Sequence, residues 1–328
     1  MTSAAQDAAS WLANPRATRE TLEAFGLATK HRLGQNFLVE DNIIRKIIRL
    51  AELTSDDVVL EVGPGLGTLT VAMLDCVRAV CSIEADRELE GVLATTCKEP
   101  HQDSFVLCMG DALKATPQLV GDAYASLGVF ADAQGKEASG TLIGPNKFVS
   151  NLPYQVAATL ILLFFQEFAT LEQAVVMVQA EVADRIAAKP GTKAYGAYTA
   201  KLALYAQVSG RFEVAPGNFM PPPRVNSAVV RLERAPMTDP SGTGVLTSEQ
   251  LFWVARVIDA AFAQRRKTIR NSMGASGFKK DTLERALLAA HIEPTVRAEA
   301  LGVKDFVRLA MALAEGGAYG EETAFVHG

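Results

Sequence analysis

The ten residues VVLEVGPGLG at positions 58–67 decide the fold of this 328-residue chain. The first five are apolar except for one glutamate, as expected of a short buried strand. Three glycines at alternate positions follow and predict a tight turn, after which a helix is expected to begin near Thr68. A strand, a glycine-rich turn and a helix in this order are typical of parallel α/β sheets that bind nucleotide-like ligands.

The same pattern of strands separated by helices continues downstream. We predict strands at 79–84, 105–111, 148–151 and 173–179, and two last strands at 202–208 and 228–232. Such alternation predicts a parallel α/β sheet, Rossmann-like in class, with ligand-binding groups at the carboxyl ends of its strands. Residues at those ends are therefore the first candidates for a functional site.

Acidic residues end the second and third predicted strands. Glu84 lies 21 residues after Gly63, where a carboxylate can accept hydrogen bonds from both hydroxyls of a ribose. Dehydrogenases share this feature, but the spacing Gly63-x-Gly65-x-Gly67 departs from the Gly-x-Gly-x-x-Gly pattern of dinucleotide sites. Asp111 can accept from the amine of a cofactor's adenine, for which a dehydrogenase has no standing need. The two acids together favour S-adenosylmethionine over a nicotinamide dinucleotide.

The fourth predicted strand ends in Asn151-Leu152-Pro153-Tyr154. The N6 amine of adenine is a poor nucleophile because its lone pair is delocalised into the ring. The side-chain oxygen of Asn151 and a turn carbonyl, at Leu152, can accept its hydrogens, while Tyr154 offers a face for a base pulled from its stack. Pro153 biases Leu152 away from helical conformation, so the carbonyls can face a pocket. Taken alone, the four residues also suit an ordinary strand-ending turn.

Composition bounds the class of protein. The chain is 49% hydrophobic, which suffices for a sizeable core. Its most apolar stretch, residues 156–165, is too short to span a bilayer, and the first thirty residues contain no apolar signal-peptide core. The four cysteines form no Cys-x-x-Cys pair, so we expect reduced thiols, no metal site and a cytoplasmic protein without membrane attachment.

Four segments are predicted along the chain. Residues 1–29 form an N-terminal extension with a short helix that packs on the body, and 30–235 form the α/β domain. A glycine-rich stretch at 118–145 is expected to be a mobile surface insertion. After a linker at 236–247, residues 248–313 form a small all-helical C-terminal domain, and 314–328 form a tail.

From about residue 30 to 313 the chain resembles the small-subunit ribosomal RNA adenine N6-dimethyltransferases. The resemblance rests on LGQNFL at 33–38, EVGPGLG at 61–67, NLPY at 151–154, QAEVADRI at 179–186, FMPPPRV at 219–225, SAVVRL at 227–232 and QRRKT at 264–268. It implies an S-adenosylmethionine-dependent enzyme that dimethylates adjacent adenosines near the 3′ end of 16S ribosomal RNA in an assembling 30S particle, acting as a monomer.

The resemblance also implies a role for individual residues. In this chain Asn36 and Leu38 would close over the cofactor, Gly63 and Gly65 would approach its methionine part, Glu84 would hold the ribose, Asp111 would meet the adenine, Asn151 would contact both cofactor and target, and Phe219 would form the second wall of the base pocket opposite Tyr154.

The net charge of −5 counts mildly against a nucleic-acid partner, but the charges are unevenly distributed. Residues 256–280 contain seven basic residues and one acidic residue, a local charge of +6. Phosphate binding by Arg265, Arg266, Lys267 and Arg270 would explain this density, whereas an ordinary solvated helix face is the plain alternative.

Two other functions remain open on the residues. A DNA adenine methyltransferase or a resistance-type methylase of large-subunit ribosomal RNA has the same need for an Asn-x-Pro-aromatic turn. A non-catalytic RNA-binding assembly or transcription factor could use the same fold, but loss of the glycines or of Asn151 would be expected, and both are intact.

Overall fold

The computed structural model describes residues 8–27, 36–129 and 144–318. Two compact units divide the chain: unit 1 comprises residues up to 183 together with 208–234, and unit 2 comprises 184–207 and the residues from 235 onward. The sequence pattern predicts that 184–207 belong to the α/β domain. The segment belongs to unit 2 because its side chains pack there, as when the Tyr195 hydroxyl donates to the carbonyl of Leu301 at 2.8 Å.

Unit 1 is organised around a seven-stranded sheet in the order β4-β3-β2-β5-β6-β9-β7, and a separate ribbon pairs β1 with β8. Strands β2 to β6 are mutually parallel in this order, whereas β9 is antiparallel to β6. The predicted α/β class is confirmed. The strands are β1 (Phe37–Leu38), β2 (Val58–Val62), β3 (Ala79–Glu84), β4 (Phe105–Met109), β5 (Lys147–Asn151), β6 (Gln173–Gln179), β7 (Ala206–Val214), β8 (Phe219–Met220) and β9 (Ser227–Arg234).

Twelve helices accompany these strands within the described ranges. They are α1 (Pro15–Ala24), α2 (Asp41–Ala51), α3 (Thr68–Leu74), α4 (Glu90–Leu93), α5 (Pro117–Ser126), α6 (Ala157–Glu167), α7 (Ala180–Ile186), α8 (Ala197–Leu202), α9 (Ser248–Phe262), α10 (Ile269–Ala275), α11 (Lys280–Ala289) and α12 (Val303–Leu313). Helices α1 to α6 belong to unit 1 and α8 to α12 to unit 2.

Burial explains why the central strands carry almost continuous apolar sequence. Every residue of β2 and of β3 is buried, as expected of parallel strands that are covered on both faces. Helix α2 follows the opposite rule, with one buried stripe of four isoleucines and a polar face. Glu61 is the one polar residue in β2. Because its carboxyl is buried, it needs hydrogen-bond donors from the protein.

The N-terminal extension forms the short helix predicted for it, α1. Asn14 caps the helix by accepting from the backbone of Ala17 at 2.8 Å. Leu12 and Leu22 are buried in the core of unit 1, and the backbone of Ser10 donates to Asp41 at 2.9 Å. The extension therefore packs on the body of unit 1.

Two predictions of local structure were wrong. The segment 118–145 does not begin as a surface insertion, because residues 117–126 form α5 and its Tyr124, fully buried, donates to the Val59 carbonyl at 2.7 Å. Residues 130–143 of that segment lie outside the described residues. The strand predicted at 202–208 was wrong at its start: α8 ends at Leu202, a turn follows, and β7 begins at Ala206, because Leu204 is buried in the helical core of unit 2.

Unit 2 is a bundle of helices around its own apolar core. Trp253 of α9 lies in this core and donates its indole N–H to the carbonyl of Ala310 in α12 at 2.8 Å. The predicted linker contains a bridge between Thr238 and Val245. The last residues of the predicted tail, from 319 onward, are not described. In the described ranges, every helix is too short or too polar to cross a membrane.

Candidate active site

The carboxyl ends of β2, β3, β4 and β5 border one cavity of about 360 Å³ in unit 1. Parallel neighbours end at the same edge of a sheet, and this brings together residues that are far apart in the chain. The lining includes nearly all the residues predicted for cofactor and amine, namely Asn36, Leu38, Gly63, Gly65, Glu84, Asp111, Asn151, Leu152 and Tyr154. Phe219 is not part of the lining.

The glycine-rich turn adopts backbone conformations that side chains disfavour. Gly63 and Gly65 have φ of +67° and +63°. A Cβ on Gly63 would lie 3.3 Å from Pro153, and one on Gly65 would lie 3.2 Å from Phe37. Gly67 serves packing instead, since a Cβ there would lie 2.4 Å from the sulfur of Cys97. The first two glycines keep the cavity open, and the third lets α3 pack closely.

Two acids stand at the strand ends as predicted. The carboxylate of Glu84 is buried and accepts from the backbone N–H of Asp86 at 2.8 Å. Desolvation raises its pKa, and hydrogen bonds from the backbone of Asp86 and Gly65 oppose that rise. Asp111 is more exposed and accepts from the backbone of Leu113 at 3.0 Å. Both acids keep acceptor capacity for a ligand, because a carboxylate can accept several hydrogen bonds.

A third acid, Glu61, also lines the cavity, and it was not among the residues predicted for the site. Its Oε2 accepts from the hydroxyls of Thr70 and Ser82, each at 2.7 Å. Burial is the largest influence on this carboxyl and raises its pKa to about 7, against the lowering effect of the two hydroxyls. A single acidic residue inside an otherwise apolar strand is the signal that could have identified it.

The turn after β5 presents two acceptors. The side-chain amide of Asn151 donates to the backbone carbonyl of Asn36 at 3.4 Å, which orients the group. Its Oδ1 accepts no hydrogen bond from the described part of the chain, and the same holds for the carbonyl of Leu152. The Leu152 N–H donates to Met177 at 3.1 Å and so ties the turn to β6. Both oxygens are thus available to an incoming amine.

The ring of Tyr154 is half-buried at the same turn, and its hydroxyl lies 2.9 Å from that of Ser227, the first residue of β9. Sequence reasoning missed Ser227, because only the fold brings together two residues that are 73 positions apart. Phe219 is buried in β8 and pairs with Leu38 of β1 in the ribbon. In the structure it therefore supports the strand that carries Leu38 and lies outside the cavity lining.

The four basic residues predicted to contact RNA lie in unit 2, at the turn between α9 and α10 and at the start of α10. Arg265 donates to Glu299 at 3.3 Å and to the carbonyl of Lys193 at 2.7 Å. Arg270 lies 3.6 Å from Glu284. Much of the local charge is thereby shared with acids from other parts of unit 2.

Arg266 and Lys267 differ from these two. Both are exposed, and neither side chain has a hydrogen-bond or ion-pair partner among the residues the structure describes. We call residues 264–267 the basic turn. The side chains of Arg266 and Lys267 can bind phosphate without breaking an existing contact.

The parallel sheet, the acids at two strand ends and the amine acceptors at a third define a Rossmann-like methyltransferase. The family described as "Ribosomal RNA adenine dimethylase" matches residues 26–315. The chain belongs to this family and is a ribosomal RNA adenine methyltransferase.

Curated relatives and solved structures agree with this assignment. "Ribosomal RNA small subunit methyltransferase A" of Kineococcus radiotolerans is 38% identical over 307 residues, covering 93% of each chain. The protein of the same name from Rhodococcus erythropolis is 39% identical over 303 residues, covering 91% of this chain and 93% of its own.

Two solved structures share the fold. A dimethyladenosine transferase from Plasmodium falciparum has a TM-score of 0.66 at 23% identity, covering 84% of this chain and 96% of its own. The 23S rRNA methyltransferase ErmE has a TM-score of 0.59 at 24% identity, covering 85% and 100%. At these identities the likeness establishes the fold alone, and it does not indicate which RNA this chain methylates.

Proposed function

We propose that this protein uses S-adenosylmethionine to dimethylate the N6 amines of adjacent adenosines near the 3′ end of 16S ribosomal RNA. Its substrate is the RNA of an assembling 30S particle, on which the protein acts as a monomer. The observation that carries the proposal is one cavity in which Glu84 and Asp111 meet the acceptors of Asn151 and Leu152.

The residues of the cavity fit S-adenosylmethionine. Acidic side chains suit a ligand that carries a sulfonium and an ammonium group, and strand-end carboxylates suit ribose hydroxyls and an adenine amine. Gly63 and Gly65 leave space that a Cβ would fill. Thr68 lines the same cavity, and its buried hydroxyl has no partner in the described ranges. Glu84, Asp111 and the two glycines would hold the cofactor, with Asn36 and Leu38 over it.

When bound, S-adenosylmethionine supplies an electrophilic methyl group on a sulfonium whose positive charge is lost in the transfer. The chain itself orients the adenine amine that receives the methyl group. Asn151 Oδ1 and the Leu152 carbonyl accept the two amine hydrogens, which favours a pyramidal nitrogen with its lone pair available. Tyr154 holds the ring of the base so that the amine stays in place. The proton can leave after transfer, so a strong general base is not required.

Dimethylation adds a constraint on these residues. After the first transfer the amine has a single hydrogen left, so the second transfer can use only one of the two acceptors. The other oxygen then faces a methyl group. The pocket at Asn151 and Leu152 must therefore accept an N-methyl group without losing the orientation of the base.

The choice of small-subunit RNA rests on the names of the curated relatives, since the fold is shared with a 23S rRNA methyltransferase. The non-catalytic alternative is disfavoured because the glycines and Asn151 are present and line the cavity. The phosphates of the RNA would be met by the free cations of the basic turn, Arg266 and Lys267.

The test is to incubate the protein with methyl-labelled S-adenosylmethionine and either immature small subunits or large subunits. The RNA is then digested and the labelled nucleoside identified. We expect N6,N6-dimethyladenosine from small subunits alone. Label in large subunits alone would favour the resistance-type activity, and labelled nucleosides in neither would contradict the proposal.

A further inference from the structure

The hydroxyl of Thr68 is an unexplained feature of the cavity. Thr68 is 5% exposed, lines the cavity at the start of α3, and its Oγ1 finds no hydrogen-bond partner within the described residues. Two neighbouring buried threonines are satisfied: Thr70 donates to Glu61 at 2.7 Å, and Thr96 donates to the carbonyls of Leu66 and Val92, each at 3.0 Å. Because burying a hydroxyl without a partner is unfavourable, a ligand is the natural source of the missing hydrogen bond.

The charges of the residues that line the cavity limit which group of a ligand can bind near Thr68. Its described lining contains the carboxyls of Glu61, Glu84, Asp86 and Asp111 and no lysine, arginine or histidine. A ligand cation is therefore well served by acids. A ligand carboxylate has no cation to meet in this lining and needs neutral donors, which backbone N–H groups and a hydroxyl can provide.

The order of the strands fixes which part of the cofactor lies near Thr68. Along the sheet edge, Asp111 follows β4, Glu84 ends β3, the glycine-rich turn and Thr68 follow β2, and Asn151 ends β5. If adenine lies at Asp111 and ribose at Glu84, the sulfur must reach toward Asn151 for transfer. The amino-acid part branches from that sulfur, over the end of β2.

We infer that the hydroxyl of Thr68 donates a hydrogen bond to the α-carboxylate of S-adenosylmethionine and so positions the amino-acid end of the cofactor. The inference rests on the proposed function and deepens it by assigning a contact to one part of the ligand. Glu84 holds the ribose, and Thr68 is a separate anchor for the carboxylate.

Comparing the binding of two ligands distinguishes the loss of this contact from a general disturbance of the cavity. S-adenosylhomocysteine carries the amino-acid part, and 5′-methylthioadenosine has the same adenosine without it. Calorimetric titration of both ligands into the wild-type protein, Thr68→Val, Thr68→Ser and the matched control Thr96→Val gives the comparison. Thermal unfolding of each variant checks that it is folded.

Thr68→Val is expected to weaken binding of S-adenosylhomocysteine by about tenfold, since it removes a hydrogen bond to a charged group, and to leave 5′-methylthioadenosine unchanged. Thr68→Ser keeps the hydroxyl and should bind both ligands within about twofold of the wild type. Thr96→Val should not discriminate between the ligands. Equal weakening of both ligands by Thr68→Val, or no change in either, would overturn the inference. Wild-type protein that binds neither ligand would instead overturn the proposed function on which the inference depends.

Discussion

The cavity of unit 1 and the basic turn of unit 2 both depend on charged groups, but they hold them differently. In the cavity, Glu61 and Glu84 are 1% and 7% exposed, and hydroxyl or backbone donors fix their oxygens. On the turn, Arg266 and Lys267 are exposed, and their side chains have no partner among the described residues. Buried and bonded groups can place the atoms of one ligand, whereas exposed cations suit the repeated charges of an RNA backbone.

This difference predicts that the two regions respond to substitution in different measurements. Changes in the cavity should alter transfer rate, cofactor binding or pH-dependent stability. Changes on the turn should alter the affinity for RNA and its dependence on salt.

The largest effect is expected for Asn151→Ala. It removes an acceptor that is needed most as the amine nitrogen becomes pyramidal, so single-turnover methylation should slow by about 10²–10³ at saturating cofactor. Asn146→Ala is the matched control, because Asn146 bonds the backbone of Val58 and the carboxylate of Asp57 and does not line the cavity. That control should lose stability and keep its rate; equal rate losses in both variants would remove the special role of Asn151.

The next effect concerns the buried carboxyl of Glu61, whose pKa is raised to about 7. An acid with a folded-state pKa above its unfolded value of 4.5 favours the protonated form on folding. Its contribution to stability is therefore present at low pH and declines as pH rises from about 4.5 to 7, by about 3 kcal/mol in all.

Glu61→Gln removes this titration while its amide oxygen can still accept from Thr70 and Ser82. The free energy of unfolding of the wild type relative to this variant should fall between pH 4.5 and pH 7. Denaturant unfolding of both proteins across that range provides the measurement. A difference that stays constant with pH would show that Glu61 has an ordinary pKa.

A smaller effect is expected at the bond between Tyr154 and Ser227. The sequence suggested that only the ring of Tyr154 matters, but its hydroxyl is bonded at 2.9 Å and so fixes the ring. Tyr154→Phe and Ser227→Ala should each slow methylation by less than about tenfold, the effect of one hydrogen bond. Because the two changes remove the same bond, the double variant should be little slower than either. Additive losses in the double variant would mean that the two hydroxyls act independently.

The smallest effects on stability are expected at the basic turn. Arg266→Gln with Lys267→Gln should leave unfolding unchanged and make the salt dependence of RNA binding shallower by about 0.7 for each lost single-strand phosphate contact. The matched double variant, Arg265→Gln with Arg270→Gln, breaks ion pairs with Glu299 and Glu284. It should cost up to about 1 kcal/mol per pair in stability, because these pairs are largely exposed. If the salt dependence of RNA binding became shallower only in the variant of Arg265 and Arg270, the paired arginines would be the ones that bind the RNA.

Residues whose position follows from the order of the strands could be predicted from the sequence. Glu84, Asp111 and Asn151 could be placed because each follows a strand, and parallel strands bring their ends to one edge. The chemistry of the turn after β5 could be predicted from Asn151 and Tyr154 for the same reason.

Contacts that depend on tertiary packing could not be predicted in this way. The bond from Tyr154 to Ser227 joins residues 73 positions apart, and the pair Arg265–Glu299 joins residues 34 positions apart. Local composition gave no indication that Glu299 would share the charge of Arg265. Phe219 was assigned to a pocket wall by resemblance, and only the pairing of β1 with β8 shows its place beside Leu38.

One measurement tests most directly whether the cavity sets the rate of methyl transfer and the basic turn sets the affinity for RNA. Single-turnover methylation is recorded against the concentration of immature small subunits, for Asn151→Ala and for the double variant Arg266→Gln with Lys267→Gln. The cavity variant should lose about 10²–10³ in maximal rate and keep its half-saturating concentration. The turn variant should keep its maximal rate and need more small subunits for half-saturation. If Asn151→Ala methylates at the wild-type rate, the catalytic role of the cavity is contradicted.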